Sequence, residues 1–141
     1  MAMLLVALPA RAHTYVHPEN GPKTSRAGAT EVYRLQVQVE RGVPTVKVRL
    51  VVPEGVFVSR FFPAPGWVRA LERDRTGRPT TITWTGHLLA GELIRFCFQA
   101  GNPPSPGALS RKVYQTDEDG VEVAWDDHAA AHPALRTEVT P

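Results

Sequence analysis

Between residues 33 and 39, Tyr33, Leu35, Val37 and Val39 alternate with Arg34, Gln36 and Gln38, and this period of two constrains the chain more than any other feature. Successive side chains of a strand point to opposite faces, so the pattern describes a strand with one dry and one wet face. Arg41-Gly42-Val43-Pro44 turns the chain, and Val46, Val48, Leu50 and Val52 then alternate with Lys47, Arg49 and Val51. Two such runs across a short turn predict a hairpin. Alternation returns near residue 92, where Ile94, Phe96 and Phe98 make the apolar face and Cys97 lies opposite with Arg95 and Gln99.

Thr14-Tyr15-Val16-His17 reads as a short first strand closed by Pro18, which cannot donate to a ladder. Residues 19–29 read as a polar loop, with turns at Gly21-Pro22 and Ala27-Gly28. Further short strands are expected at 56–58, 67–71, 80–85, 109–116, 121–125 and 136–140, with Asp117-Glu118-Asp119-Gly120 as a hairpin turn. Thirteen prolines and eleven glycines suit many short elements joined by turns, and no segment carries a helical period. The expected fold class is all-β, an antiparallel β-sandwich of about eight or nine short strands. A closed barrel is the alternative.

The amino-terminal residues stand apart. Met3-Leu4-Leu5-Val6-Ala7-Leu8 is apolar, and Ala10 and Ala12 supply the small residues that a signal peptidase requires. Residues 1–12 are therefore expected to be a leader, short against the usual ~15–30 residues, with residues 13–141 as one domain. The apolar run is far too short to span a bilayer. Cleavage after Ala12 makes His13 the first residue, with a free α-amine and a ring Nδ1 able to close a six-membered chelate around a metal ion. A free α-amine titrates near ~7.7–8.0, so at neutral pH a metal competes with one weakly held proton. Taken alone, a histidine at such a junction is more simply an accident of sequence.

Several functions are excluded. The formal net charge is +2 and no basic stripe interleaves with aromatics, which argues against nucleic acid as a partner. Cys97 is the only cysteine and cannot form an internal disulfide. Structural zinc lacks its paired ligand spacing. A blue-copper site wants two histidines, a cysteine and usually an axial methionine, but the only methionines are Met1 and Met3 and no histidine closely follows Cys97. Cys97 is thus read as a half-buried strand residue. His17 lies roughly 13 Å along an extended strand from His13, too far to share one ion, and reads as a packed or capping residue beside Pro18. His128 and His132 read as parts of a solvated tail, and His87 sits in a turn without a signal. By themselves, Glu92 reads as an exposed carboxylate and Trp125 as a core or edge aromatic.

From Ala12 to Trp125, a series of motifs occurs in a telling order: His13-Thr14-Tyr15-Val16-His17-Pro18, Pro44-Thr45-Val46-Lys47-Val48, Pro53-Glu54-Gly55, Pro63-Ala64-Pro65-Gly66-Trp67 and Thr83-Trp84. Gly91-Glu92-Leu93, Tyr114-Gln115-Thr116 and Asp119-Gly120 follow. In this the chain resembles the YcnI-like family, long filed as a domain of unknown function. The resemblance implies an extracytoplasmic, immunoglobulin- or cupredoxin-like sandwich that binds Cu(II) through a monohistidine brace. Carried over, the metal residues are His13, whose amine and ring chelate copper, Glu92, which adds an oxygen, and Trp125, which lies over the ion. Two nitrogens and a carboxylate oxygen suit tetragonal Cu(II), and an indole face can shield the ion or favour its reduced form. The chain departs from the family around Trp125. Ala124 stands where a glutamate is usual, and Asp126 and Asp127 follow where small residues are common.

The expected function is copper handling or delivery without catalysis, with a membrane copper importer or a periplasmic copper carrier as partner by family analogy. Two other classes stay open. An oxidative copper enzyme would need a second side-chain histidine, which only His87, His128 or His132 could supply. A metal-free adhesion or assembly sandwich would show no metal affinity beyond that of a generic amino-terminal histidine peptide.

Overall fold

A computed structural model describes residues 14–19, 23–129 and 132–141 of the chain; the expected leader and His13 lie outside the described residues. Eleven strands are present among them. They are β1 (Tyr15–Pro18), β2 (Thr24–Arg26), β3 (Thr30–Gln38), β4 (Thr45–Val51), β5 (Phe57–Phe61) and β6 (Val68–Arg73). Then follow β7 (Pro79–Leu88), β8 (Leu93–Gly101), β9 (Gly107–Asp117), β10 (Glu122–Trp125) and β11 (Leu135–Thr140). One sheet has the order β1-β3-β8-β5, the other β2-β11-β9-β4-β7-β6 with β10 paired to β9. The fold is an all-β sandwich, as the alternation predicts.

The dry faces of both sheets merge into one core. Tyr33, Leu35 and Val37 of β3 and Phe96 and Phe98 of β8 join Val48 and Leu50 of β4, Ile82 and Trp84 of β7, and Val113 of β9. Trp84 stacks on Phe96 from the opposite sheet, with ring centroids 4.5 Å apart and planes at 18°. Trp67, in the β5–β6 connection, meets the same Phe96 edge-on at 5.2 Å. The Trp67 indole lies flat over Gly86 of β7, where any Cβ would overlap it.

The predicted hairpin between β3 and β4 does not form. β3 pairs with β1 and β8, whereas β4 pairs with β7 and β9, so the chain crosses from one sheet to the other at Arg41-Gly42-Val43-Pro44. Alternation identifies a strand's dry face but not its sheet, and two dry faces can be buried by opposing each other across the core as well as side by side. The crossing is tethered by Arg41, whose guanidinium pairs with Asp117 and Asp119, each at 3.0 Å. A register shift between Thr45 and Lys47 also changes the face of Val46: Thr45 is buried instead and Val46 is only half-buried.

Two more differences concern the strands near the amino terminus, and the first adds a strand to the expected eight or nine. Part of the predicted polar loop is β2, which runs parallel to β11, the one parallel pair among the described residues. Three residues, Thr24-Ser25-Arg26, are too few and too polar to show a period. Pro18 belongs to β1, opposite Tyr33. This is permitted because β1 is an edge strand, where a missing N–H has no neighbour to serve.

Candidate metal centre

Gln115 sits on β9 with its side chain on the core face, in line with Leu109 and Val113. A buried amide must satisfy both ends, and this one does so with β3, β10 and the chain preceding β1. The Thr14 hydroxyl donates to Gln115 Oε1 at 2.9 Å, and the Trp125 indole N–H donates to the same oxygen at 2.7 Å. The Gln115 Nε2 donates to the Gln38 carbonyl at 3.0 Å. Thr14 is the residue bonded to His13, so the start of the described chain and the Trp125 indole are held within two hydrogen-bond lengths of one another. Trp125 ends β10 opposite Val113, and its ring is buried.

Gln38 ends β3 opposite Leu93, the first residue of β8, and Glu92 immediately precedes that strand. Glu92 closes the β7–β8 turn upon itself. Its Oε1 accepts the Leu89 N–H at 2.8 Å, and its own N–H donates to the Leu89 carbonyl at 3.0 Å. The turn passes through Gly91 with a φ of 83°, a left-handed conformation that favours glycine. The Glu92 side chain is exposed and lines a hollow of about 120 Å³ with Gln38, Val39, Gly91 and Leu93. Gln38 therefore joins the Glu92 turn to the Gln115 hub that fixes Thr14 and Trp125. Among the described residues, hydrogen bonding engages only Oε1 of the Glu92 carboxylate, which leaves an oxygen able to meet a cation.

No group of three His, Cys, Asp or Glu side chains capable of holding a metal occurs among the described residues. A brace does not need one, because it takes two nitrogens from a single residue. His17 lies on β1 opposite Arg34 and stacks on Tyr15 at 4.6 Å and 20°, a packed residue as expected. His87 lies 3.6 Å from the Glu118 carboxylate. His128 is exposed. Cys97 is half-buried, its thiol 3.9 Å from Glu19 Oε1, and burial together with that carboxylate pushes the thiol pKa up. It has the character of an inert strand thiol.

His132 departs from expectation. The residue read as part of a solvated tail is half-buried, with its ring centroid 4.7 Å from that of Trp125 and the planes at 68°. Gln115, Thr14 and His132 are the three residues that strand patterning alone did not place at this centre. For Gln115 the signal was available, since its parity along β9 matches that of Leu109 and Val113. Nothing local marks the other two.

The fold and the residues have relatives. Residues 13–139 match a family model described as a domain of unknown function, DUF1775. The chain is 32% identical over 143 residues to the copper-binding protein CutI of Bacillus subtilis strain 168, covering 99% of this chain and 68% of that protein. A solved structure of an uncharacterized protein from Nocardia farcinica with an immunoglobulin-like fold superposes with a TM-score of 0.79 at 26% identity, over 92% of this chain and 99% of the other. The human F-spondin reeler domain shares the fold alone, with a TM-score of 0.53 at 10% identity over 92% and 93% of the two chains. By the matched span and by the identity to CutI, this chain belongs to the DUF1775 family, the YcnI-like domains that its motifs resemble.

Proposed function

We propose that the protein binds Cu(II) outside the cytoplasm and serves copper handling or delivery, not catalysis. His13, freed by removal of residues 1–12, supplies its α-amine and ring nitrogen, Glu92 supplies a carboxylate oxygen, and the Trp125 indole covers the ion. The observation that carries this reading is the shared acceptor at Gln115: one oxygen holds both the indole of Trp125 and the residue bonded to His13. The copper-binding name of a relative 32% identical over almost the whole chain supports the choice of metal. Two nitrogens and an oxygen make the tetragonal set that Cu(II) favours. A membrane importer or a periplasmic carrier is the expected recipient.

When bound, copper supplies a cation that can cycle between two charges. The residues of this chain hold and shield it. Gln115 fixes the indole plane, the β7–β8 turn fixes the Glu92 carboxylate, and Thr14 fixes the backbone that follows the chelating residue. Titration calorimetry of Cu(II) into protein beginning at His13 tests the reading. One ion per chain is expected, with affinity falling at least about 100-fold in His13→Ala; equal affinity in the two proteins would sink the site.

A further inference from the structure

The geometry points to a second binding site, for a small apolar carboxylate, at the β5 edge of the four-stranded sheet. It does not depend on the copper reading: Gln99, at its centre, stands six residues along β8 from Leu93, roughly 20 Å at the rise of a strand. The site begins with an apolar residue on a polar face. Val32 shares the wet parity of Arg34, Gln36 and Gln38 on β3 and is half-buried. Opposite it is Gln99 of β8, and opposite Gln99 is Arg60 of β5, so the three form a row across the sheet to its last strand. Together with Phe61, Phe62 and Pro63 they line a cavity of about 290 Å³. That is close to the lower end of the range of about 300–1,000 Å³ typical of ligand pockets.

A bulge aims the polar groups into this cavity. Val58 pairs with Ala100 and Arg60 with Gln99, so the register shifts between them and Ser59 is the extra residue. Without the shift Arg60 would share the parity of Val58 and face the core. With it Arg60 is exposed, and Phe61 turns inward, half-buried against the core. Phe62 continues the pairing past the end of β5, its N–H donating to the Cys97 carbonyl at 3.0 Å, and its side chain stays 48% exposed. Gln99 Oε1 accepts the Ser59 hydroxyl at 3.1 Å and an Arg60 N–H at 3.4 Å, and among the described residues no hydrogen bond engages its Nε2. Arg60 likewise has no carboxylate partner among the described residues. From Val56 to Leu71 the chain holds no Asp or Glu, and its one other charge there, Arg69, lies over the Phe61 ring at 4.1 Å. A guanidinium without an acid and a spare amide N–H, set among Val32, two phenyl rings and a proline, suit a molecule with an apolar body and one carboxylate. The carboxylate takes charge-assisted hydrogen bonds from Arg60, and the phenyl rings receive the body.

Chemical-shift titration of the full chain with sodium 3-phenylpropionate tests the site, with 3-phenylpropanamide as the neutral isostere. Saturable shifts are expected at the Gln99 side-chain amide and at the backbone amides of Arg60, Phe62 and Gln99. Binding should weaken at least about 10-fold for the neutral isostere and in Arg60→Gln, since each removes a hydrogen bond between charged groups. Phe62→Ser should weaken it as well by removing one apolar wall. Arg60 and Phe62 are both exposed, so both variants should keep the wild-type melting temperature, and loss of binding then reports the site and not the fold. Equal affinity for the acid and its amide, or unchanged binding in Arg60→Gln, would overturn the inference. So would the absence of saturable shifts with both 3-phenylpropionate and octanoate, or shifts confined to Glu92 and Trp125, which would place the ligand at the metal centre.

Discussion

Two donors converge on one oxygen at Gln115, and its nitrogen is spent on the Gln38 carbonyl. Replacing this side chain with an apolar one of similar size leaves the Thr14 hydroxyl, the Trp125 N–H and the Gln38 carbonyl without their partner. Each buried polar group so stranded costs about 1–3 kcal/mol. Gln115→Leu should therefore lose about 3 kcal/mol or more in urea denaturation, and a loss below about 0.5 kcal/mol would show that the hub carries no stability. His17 makes a different kind of claim. Burial, reinforced by Lys23 and Arg34, holds its pKa below the ordinary 6.5. A base depressed in this way binds its proton more readily when unfolded, so its contribution is complete above about pH 6.5 and shrinks as pH falls from there toward the folded value. His17→Phe keeps the ring beside Tyr15 and removes the ionisation. Its melting temperature should fall less than that of the wild-type protein between about pH 7 and pH 5; parallel curves would exclude the linkage.

At the scale of elements, the β6–β7 edge depends on one close approach. Trp67 packs on Phe96 across the bare face of Gly86, and a methyl group at that position meets the indole. Overpacking of this kind costs about 1–3 kcal/mol. Gly86→Ala should lose that amount, and adding Trp67→Phe should restore part of it, since neighbouring changes are not additive. Equal losses in the Gly86→Ala single and double variants would place the cost in the backbone instead. The dry faces of β3 and β8 were legible from Tyr33, Leu35, Val37, Phe96 and Phe98, because period two is a local property. The sheet to which β4 belongs was not, since Val48 and Leu50 would be buried equally well on either side of the core. The same locality hid the candidate centre. Thr14 and Gln115 are 101 positions apart, and His132 meets Trp125 from beyond the end of β10. On β9, the buried positions Leu109, Arg111, Val113, Gln115 and Asp117 carry as much polarity as apolar surface, which blurs the very pattern that reveals a strand.

For the whole molecule, the question is what a folded sandwich adds to a chelate contained in one residue. The amine and ring nitrogen of a free His13 can grip Cu(II) in an unfolded chain as well as in a folded one. Binding raises apparent stability only by the difference between the two states. The nitrogens common to both states therefore cancel, and the thermal shift caused by copper reports what Glu92, Trp125 and their supports contribute. If those groups tighten binding 100-fold over the unfolded chain, the native state gains about 2.7 kcal/mol in saturating metal. For a domain of this size that is a rise on the order of 10 °C. Protein beginning at His13 should show it, and Glu92→Gln should show a smaller rise while still binding one ion by calorimetry. Protein that keeps residues 1–12 should show little, because its amine is locked in a peptide bond. A calorimetric site without any thermal shift would mean that the amino-terminal residue binds copper alone and that the sandwich is a bystander.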